Sequence, residues 1–485
     1  MSSKSEDSIG IIIGNIGKWQ IQRIIANLLI SLPGIAQIFV GAVFSMQIPD
    51  FRCMDNSSSS YSKNCSKECT KYEYDTSFWT ETVPMKFDMI CGNDYLILMT
   101  KMTLFIGFAI GTFSAGLIAD KFGRKTSILI MSHLFFASGL VLTIVNSYIF
   151  FLFVLLSMAI SAIGIYTSAI VWNLECVSGK WKMIVGMMMA LIWPFGRLLS
   201  VALAWNICEW RLMIQILSGV HFVTPIIMYW VPESPRWLLA SSKESNKKKA
   251  EEILRKVVKI NKGNMELFEQ NIQNQIESSR RKDTSYHPYY KVFKSKTLRN
   301  RSFILFINWF TNSLVLYGLN LNWKSLTGNL FTNFSIAAAL DIVARILSIF
   351  ILHQFSYKKV YTLSMFMVAL SFLLTFGFSL GDYENNYPVV ILSMFGTFFI
   401  SMTFSIIWIY TTEIFPTNYR NGALGASSFV ARIGGILATT MGPLSKVNEN
   451  IPKAIFSVTT LTSAGLALLL PETGDSLPDA IEDCE

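Results

Sequence analysis

Gly116-Leu-Ile-Ala-Asp120-Lys-Phe-Gly123-Arg124-Lys125 is a short run of small and charged residues between two long apolar stretches, about 95–119 and 126–146. Each stretch is long enough to cross a bilayer, which takes roughly 20 apolar residues as a helix. The segment between them therefore reads as a turn at a membrane face. Gly116 is expected to let two helices approach closely, and Gly123 to permit a tight reversal. Asp120 and Arg124 are four residues apart, so they can form a charge pair that breaks when packed helices move. An ordinary positive-inside turn would explain the lysines and arginine, but not the spacing of glycine and aspartate.

Working outward, further apolar stretches lie at about 24–46, 149–173, 183–206 and 212–231. After a polar interval they resume at about 302–320, 326–352, 360–380, 388–411, 424–445 and 453–470. Composition agrees: 52% of the 485 residues are hydrophobic and only 15% charged, where a soluble domain carries about a quarter. The count predicts twelve membrane-spanning helices, six plus six, with both termini on one side.

A repeat marks two halves. Glu175-Cys-Val-Ser-Gly-Lys-Trp-Lys182 follows the fourth stretch, and Glu413-Ile-Phe-Pro-Thr-Asn-Tyr-Arg420 follows the tenth. Each sets a carboxylate seven residues before a cation, at equivalent places in the two sets of six. Parallel six-helix repeats build one large class of secondary transporters.

Charge and cysteine placement orient the chain. Residues 232–301 hold 17 Lys/Arg against 8 Asp/Glu, whereas residues 47–94 hold 5 against 8. The net charge of +9 is thus concentrated in a basic loop that suits an anionic lipid face, not nucleic acid. Cys53, Cys65, Cys69 and Cys91 all fall in the acidic loop beside the glycosylation sequons at Asn56 and Asn64. An oxidising, extracellular loop follows, with three possible pairings. The expected organisation is a cytoplasmic segment 1–23, a first half 24–231 carrying the glycosylated extracellular loop 47–94, a cytoplasmic loop 232–301, a second half 302–470 and a cytoplasmic tail 471–485. The expected location is the plasma membrane. Within the middle loop, Lys247 to Lys259 puts Ile253, Leu254 and Val257 on one side. That is the pattern of a helix lying at the membrane surface or of a solvated linker.

The Gly116–Lys125 segment resembles the signature loop of the major facilitator superfamily, with Lys121 where arginine is usual. The chain more narrowly resembles the organic cation, organic anion and carnitine transporter family. The matching segments are Phe87-Asp-Met-Ile-Cys91, Pro232-Glu-Ser-Pro-Arg-Trp237, Trp309-Phe310 through Tyr317-Gly318, Gly328-Asn329, Pro471-Glu-Thr and Leu477-Pro-Asp-Ala-Ile-Glu-Asp483. Lys182 stands where the family has arginine and Leu316 where it has a second tyrosine, and the second half's counterpart of the signature loop, Phe355-Ser-Tyr-Lys-Lys359, keeps only the basic residues of that motif. The resemblance implies an all-α membrane protein of the major facilitator fold, two six-helix halves that rock about a central cavity. It makes Gly116, Asp120, Gly123, Arg124, Glu175, Lys182, Glu233, Arg236, Glu413 and Arg420 conformational-switch residues, expected to latch the outward-open state.

Ionisable residues inside spans are costly and point to function. Lys101, Arg197, Asp341, Arg345 and Arg432 qualify. Arg345 and Arg432 match cationic positions of the organic anion branch, and Arg432 also matches the carnitine branch. Asp341 and Arg345 share a helix face and are spaced to neutralise each other; Lys101 is placed to snorkel, and Arg197 to sit hydrated at a cavity mouth. Of the aromatics, Tyr317 is the strongest candidate for stacking on cargo, with Tyr166, Trp193, Trp309, Phe310, Trp408 and Tyr410 behind it. His133 and His221 read as packing histidines. No phosphate loop, metal-ligand cluster or catalytic constellation stands out, so no cofactor, metal or enzymatic activity is expected. The reading is a secondary active or facilitative carrier of small organic ions, leaning to anions or carnitine-like zwitterions, with a coupled ion or exchange substrate possible. The competing readings are a polyspecific cation carrier, and a non-transporting receptor or sensor.

Overall fold

The computed structural model describes residues 16–54, 61, 65, 69, 71–241, 243–272, 289–322, 328–378, 387–415 and 419–472. Both sequons and the 1–15 and 473–485 segments lie outside them, as does the side chain of Arg420. Among the described residues, eleven helices are long and apolar enough to cross a membrane. Spans one to six are Lys18–Phe44, Cys91–Phe122, Arg124–Ile144, Tyr148–Glu175, Trp181–Asn206 and Trp210–Tyr229. Spans seven to eleven are Lys296–Leu321, Leu330–Ile351, Tyr357–Phe378, Tyr387–Ile414 and Gly422–Val447. The twelfth helix, Asn450–Ala467, is shorter and rich in Ser and Thr. Its hydroxyls donate to carbonyls one turn back, Ser457 to Lys453 at 2.8 Å and Thr460 to Phe456 at 2.6 Å, so these groups are satisfied without water.

Spans two and three each pack on span four in the first half; in the second, seven packs on eleven, and nine on ten and twelve. Between the halves, five meets eight and two meets eleven. Span five breaks at Leu191, between helices Lys180–Ala190 and Ile192–Asn206. Pro194 causes this, because it has no N–H for the Ala190 carbonyl.

The tight approach of spans two and four does not use Gly116. A Cβ there would meet nothing within 4 Å, whereas one at Gly107 would lie 2.5 Å from Ala159 Cβ, and one at Gly111 would strike the Ile160 carbonyl. Gly116 lies one turn beyond that crossing and faces open space, which corrects the expectation placed on it.

The helix within the middle loop, Glu244–Ile260, is neither a surface float nor a solvated linker. Its apolar stripe, with Leu254, Val257 and Val258, is buried against protein, on helix Pro235–Ala240 and the start of span one. Asn261, just past its end, accepts the Trp19 N–H at 3.1 Å and donates to Gln20 Oε1 at 2.8 Å. Span one has no capping side chain of its own at Gly17, so a distant residue supplies the cap.

The loop after span one carries two paired strands, Phe51–Cys53 and Tyr72–Tyr74. Of the three possible pairings, Cys53 joins Cys69 and Cys65 joins Cys91. Arg211 and the Trp210 indole both reach Glu81, the latter at 3.0 Å, which ties this loop to span six.

Candidate functional site

The signature turn is built around a half-buried carboxylate, Glu233. Gly123 has φ +102° and a Cβ there would strike Glu233, so both conformation and space require glycine. Glu233 Oε1 accepts the N–H groups of Arg124 at 2.9 Å, Lys125 at 3.1 Å and Ser234 at 2.9 Å. Burial nevertheless raises its pKa above the ordinary value, the three N–H bonds working against that. Arg124 bonds Glu175 at 2.8 Å and Asp120 at 3.0 Å, and Arg236 Nε donates to the Glu175 carbonyl at 2.7 Å. These contacts clamp the first half to itself. Lys182 also lies at this end, while Glu413 is exposed at the corresponding place in the second half.

The opposite, disulfide-bearing end is closed by aromatic rings from both halves. Phe331 of span eight stacks on Phe44 of span one at 5.4 Å and meets Trp205 of span five at 5.1 Å. Phe78 and Trp79 from the loop cover it at 5.7 and 6.1 Å. An ion pair between Lys446 and Asp94 joins spans eleven and two at the same end. Lys101, one helical stretch further into span two, is half-buried with Lys446 as its charged neighbour.

Between these ends the halves meet through charge. Arg345 Nε donates to Asp341 Oδ1 at 2.6 Å, and its Nη1 to Ser405 at 3.4 Å. The other Asp341 oxygen faces Arg197 Nη2 at 3.5 Å. The pairing of Asp341 with Arg345 follows the sequence spacing. The Arg197 contact does not, because span five and span eight belong to different halves. Arg197 is also 1% exposed, not hydrated at a mouth as expected; Phe39 and Phe334 sandwich its guanidinium at 5.3 Å each.

Arg432 completes the cluster. Its neighbour Gly434 lies so close to span seven that a Cβ would be 2.5 Å from the Phe310 carbonyl oxygen. This brings Arg432 to the Tyr317 hydroxyl. Tyr317 stands edge-on to Phe105 at 4.8 Å and to Trp193 at 6.4 Å, and Trp193 stands edge-on to Tyr166 at 5.8 Å. Tyr166 lies within electrostatic reach of both Arg345 and Arg432. Of the residues expected to meet cargo, Arg345, Arg432, Tyr317, Tyr166 and Asp341 thus converge, with Arg197 joined to them through Asp341.

Trp309 does not join them. Its indole donates to Thr411 at 2.9 Å and packs on Trp408 at 4.8 Å inside the second half, which corrects its assignment. Lys101 stays with the disulfide end. Residues not singled out from sequence are Phe39 and Phe334, which hold Arg197, and a network in the second half. There Tyr361 and Ser463 donate to Asn308 Oδ1 at 2.8 and 2.6 Å, and Thr403 donates to Asn312 Oδ1 at 2.7 Å. Asn308 and Asn312, one turn apart in an apolar span, were the available signal.

Comparison with known proteins agrees with this architecture. Residues 26–473 match the sugar (and other) transporter family. An organic cation transporter protein of Drosophila melanogaster is 30% identical, over 98% of this chain and 93% of its own. The organic cation/carnitine transporter 2 of Mus musculus is 29% identical, over 85% of this chain and 73% of its own. In structure, the inward open conformation of the xylose transporter XylE from E. coli superposes with a TM-score of 0.68 at 17% identity, covering 96% of this chain and 98% of that one. Fold, span arrangement and sequence kinship together place the chain in the organic cation, organic anion and carnitine transporter family of the major facilitator superfamily.

Proposed function

We propose that the chain carries small organic anions, or zwitterions bearing an acid group, by alternating access between its two halves. The observation that carries this reading is a charge imbalance. Arg197 and Arg345 share one carboxylate, Asp341, and Arg432 adds a third cation at the Tyr317 hydroxyl. Arg197 Nε and Nη1 and Arg432 Nε are buried with no hydrogen-bond partner among the described residues. Unsatisfied guanidinium donors beside Tyr166, Trp193 and Tyr317 suit an acid group on a flat organic body. The rival cation reading needs Asp341 free to meet a cationic cargo, and that carboxylate faces two arginines.

The disulfide end is taken as extracellular, and both termini as cytoplasmic at the plasma membrane. The two disulfides and the basic middle loop support this orientation. The switch residues would then hold the cytoplasmic end of the first half rigid while the halves rock.

Uptake of labelled benzoate, carnitine and tetraethylammonium into cells expressing wild type or Arg432→Ala tests the reading. Loss of a charged hydrogen bond is worth about 1.5–3 kcal/mol, so benzoate or carnitine uptake should fall roughly 10- to 100-fold in kcat/KM. Uptake of tetraethylammonium alone, unchanged by the substitution, would overturn the anion reading. No flux of any probe at normal surface expression would favour a receptor or sensor.

A further inference from the structure

Asp341 is held unevenly. One oxygen is bonded closely by Arg345 on its own helix at 2.6 Å, while the other faces Arg197 of the opposite half at 3.5 Å. Arg197 is 1% exposed, lies between two phenylalanine rings, and has two donors without a hydrogen-bond partner among the described residues. A guanidinium carries five N–H donors arranged to grip a carboxylate with two parallel bonds. Arg197 can therefore take more of Asp341 than it holds, and Arg345 cannot give the same Nε to both Asp341 and a cargo acid.

We propose that Asp341 is a tethered stand-in for the acid group of the cargo, which displaces it from Arg345, and that Arg197 is the positioning residue that receives it. This rests on the anion reading above. It narrows the cargo to molecules with one carboxylate or sulfonate and an aromatic body, because one displaced carboxylate leaves room for one incoming acid. Since Arg197 belongs to the first half and Asp341 to the second, the transfer also binds the halves more tightly when cargo is aboard, which couples occupancy to the relative position of the halves.

The test uses the full chain reconstituted in liposomes, with uptake of labelled benzoate by wild type, Arg197→Gln, Asp341→Asn, Asp341→Glu and the Arg197→Gln/Asp341→Asn pair. Because neighbours in one charge network are coupled, KM should fall about tenfold in Asp341→Asn, with a lower maximal rate, and rise about tenfold in Arg197→Gln. The paired variant should keep the low KM of Asp341→Asn, and Asp341→Glu should stay near wild type. A KM unmoved or raised by Asp341→Asn, or a full Arg197→Gln effect persisting in its absence, would overturn the proposal. Should a variant fail to transport, the rise in melting temperature caused by benzoate in detergent gives the same ranking: Asp341→Asn above wild type above Arg197→Gln, with an inverted order counting against it. Wild-type uptake of tetraethylammonium without benzoate would instead defeat the anion reading itself.

Discussion

At Gly123 a left-handed backbone and the Glu233 carboxylate leave no room for a side chain, whereas Gly116 in the same motif faces open space. The two glycines should therefore respond oppositely to alanine. Gly123→Ala forces strain of about 1–3 kcal/mol and should lower the melting temperature of the detergent-purified protein. Gly116→Ala, inside a helix, should leave it unchanged or raise it. Equal losses at both positions would contradict this account. At the same scale, the Asp341–Arg345 pair was legible because one helical turn relates the two residues. The partnership of Arg197 with Asp341 was not, since only the packing of span five on span eight creates it. Trp309 misled for a similar reason: a ring in an apolar span can turn toward cargo or toward its own half, and the Thr411 hydroxyl that decides the matter lies in another span.

The helices themselves were nearly all legible, because spanning length and low charge are written locally in the chain. What the pattern could not say is what covers an apolar stripe. The stripe of Glu244–Ile260 has the periodicity of a membrane-surface helix, yet it is buried on protein, with Asn261 capping span one. Removing such a cap costs about 0.5–2 kcal/mol, so Asn261→Ala should speed limited proteolysis of the middle loop without abolishing uptake. Cleavage at the wild-type rate would show that the cap does not hold the loop helix in place. The last helix, expected at about 453–470, sits at the other extreme: its Ser and Thr hydroxyls bond its own backbone carbonyls, which makes the span acceptable to lipid.

As a whole, the molecule has its halves joined at the disulfide end by rings around Phe331 and by charge at mid-depth. Below the rings a void of about 10 Å³ is lined by Phe39, Phe105, Tyr317 and Asn320, and Asn320 is 4% exposed. Removing the Phe331 ring should weaken closure of that end. In a Cys208→Ser background, a cysteine placed by Asn320→Cys should react with a water-soluble maleimide about tenfold faster once Phe331→Ala is added, the change that ~1.4 kcal/mol less closed-state preference gives. No change in labelling would mean the rings do not govern access. The inter-half charge contact also bears on biosynthesis. Span five enters the bilayer carrying Arg197 long before span eight delivers Asp341, and a lone arginine at a helix centre costs about 2.5–3.5 kcal/mol to insert. The newborn first half therefore waits in the membrane with an unneutralised cation, and its last step of assembly is completed by the arrival of its twin.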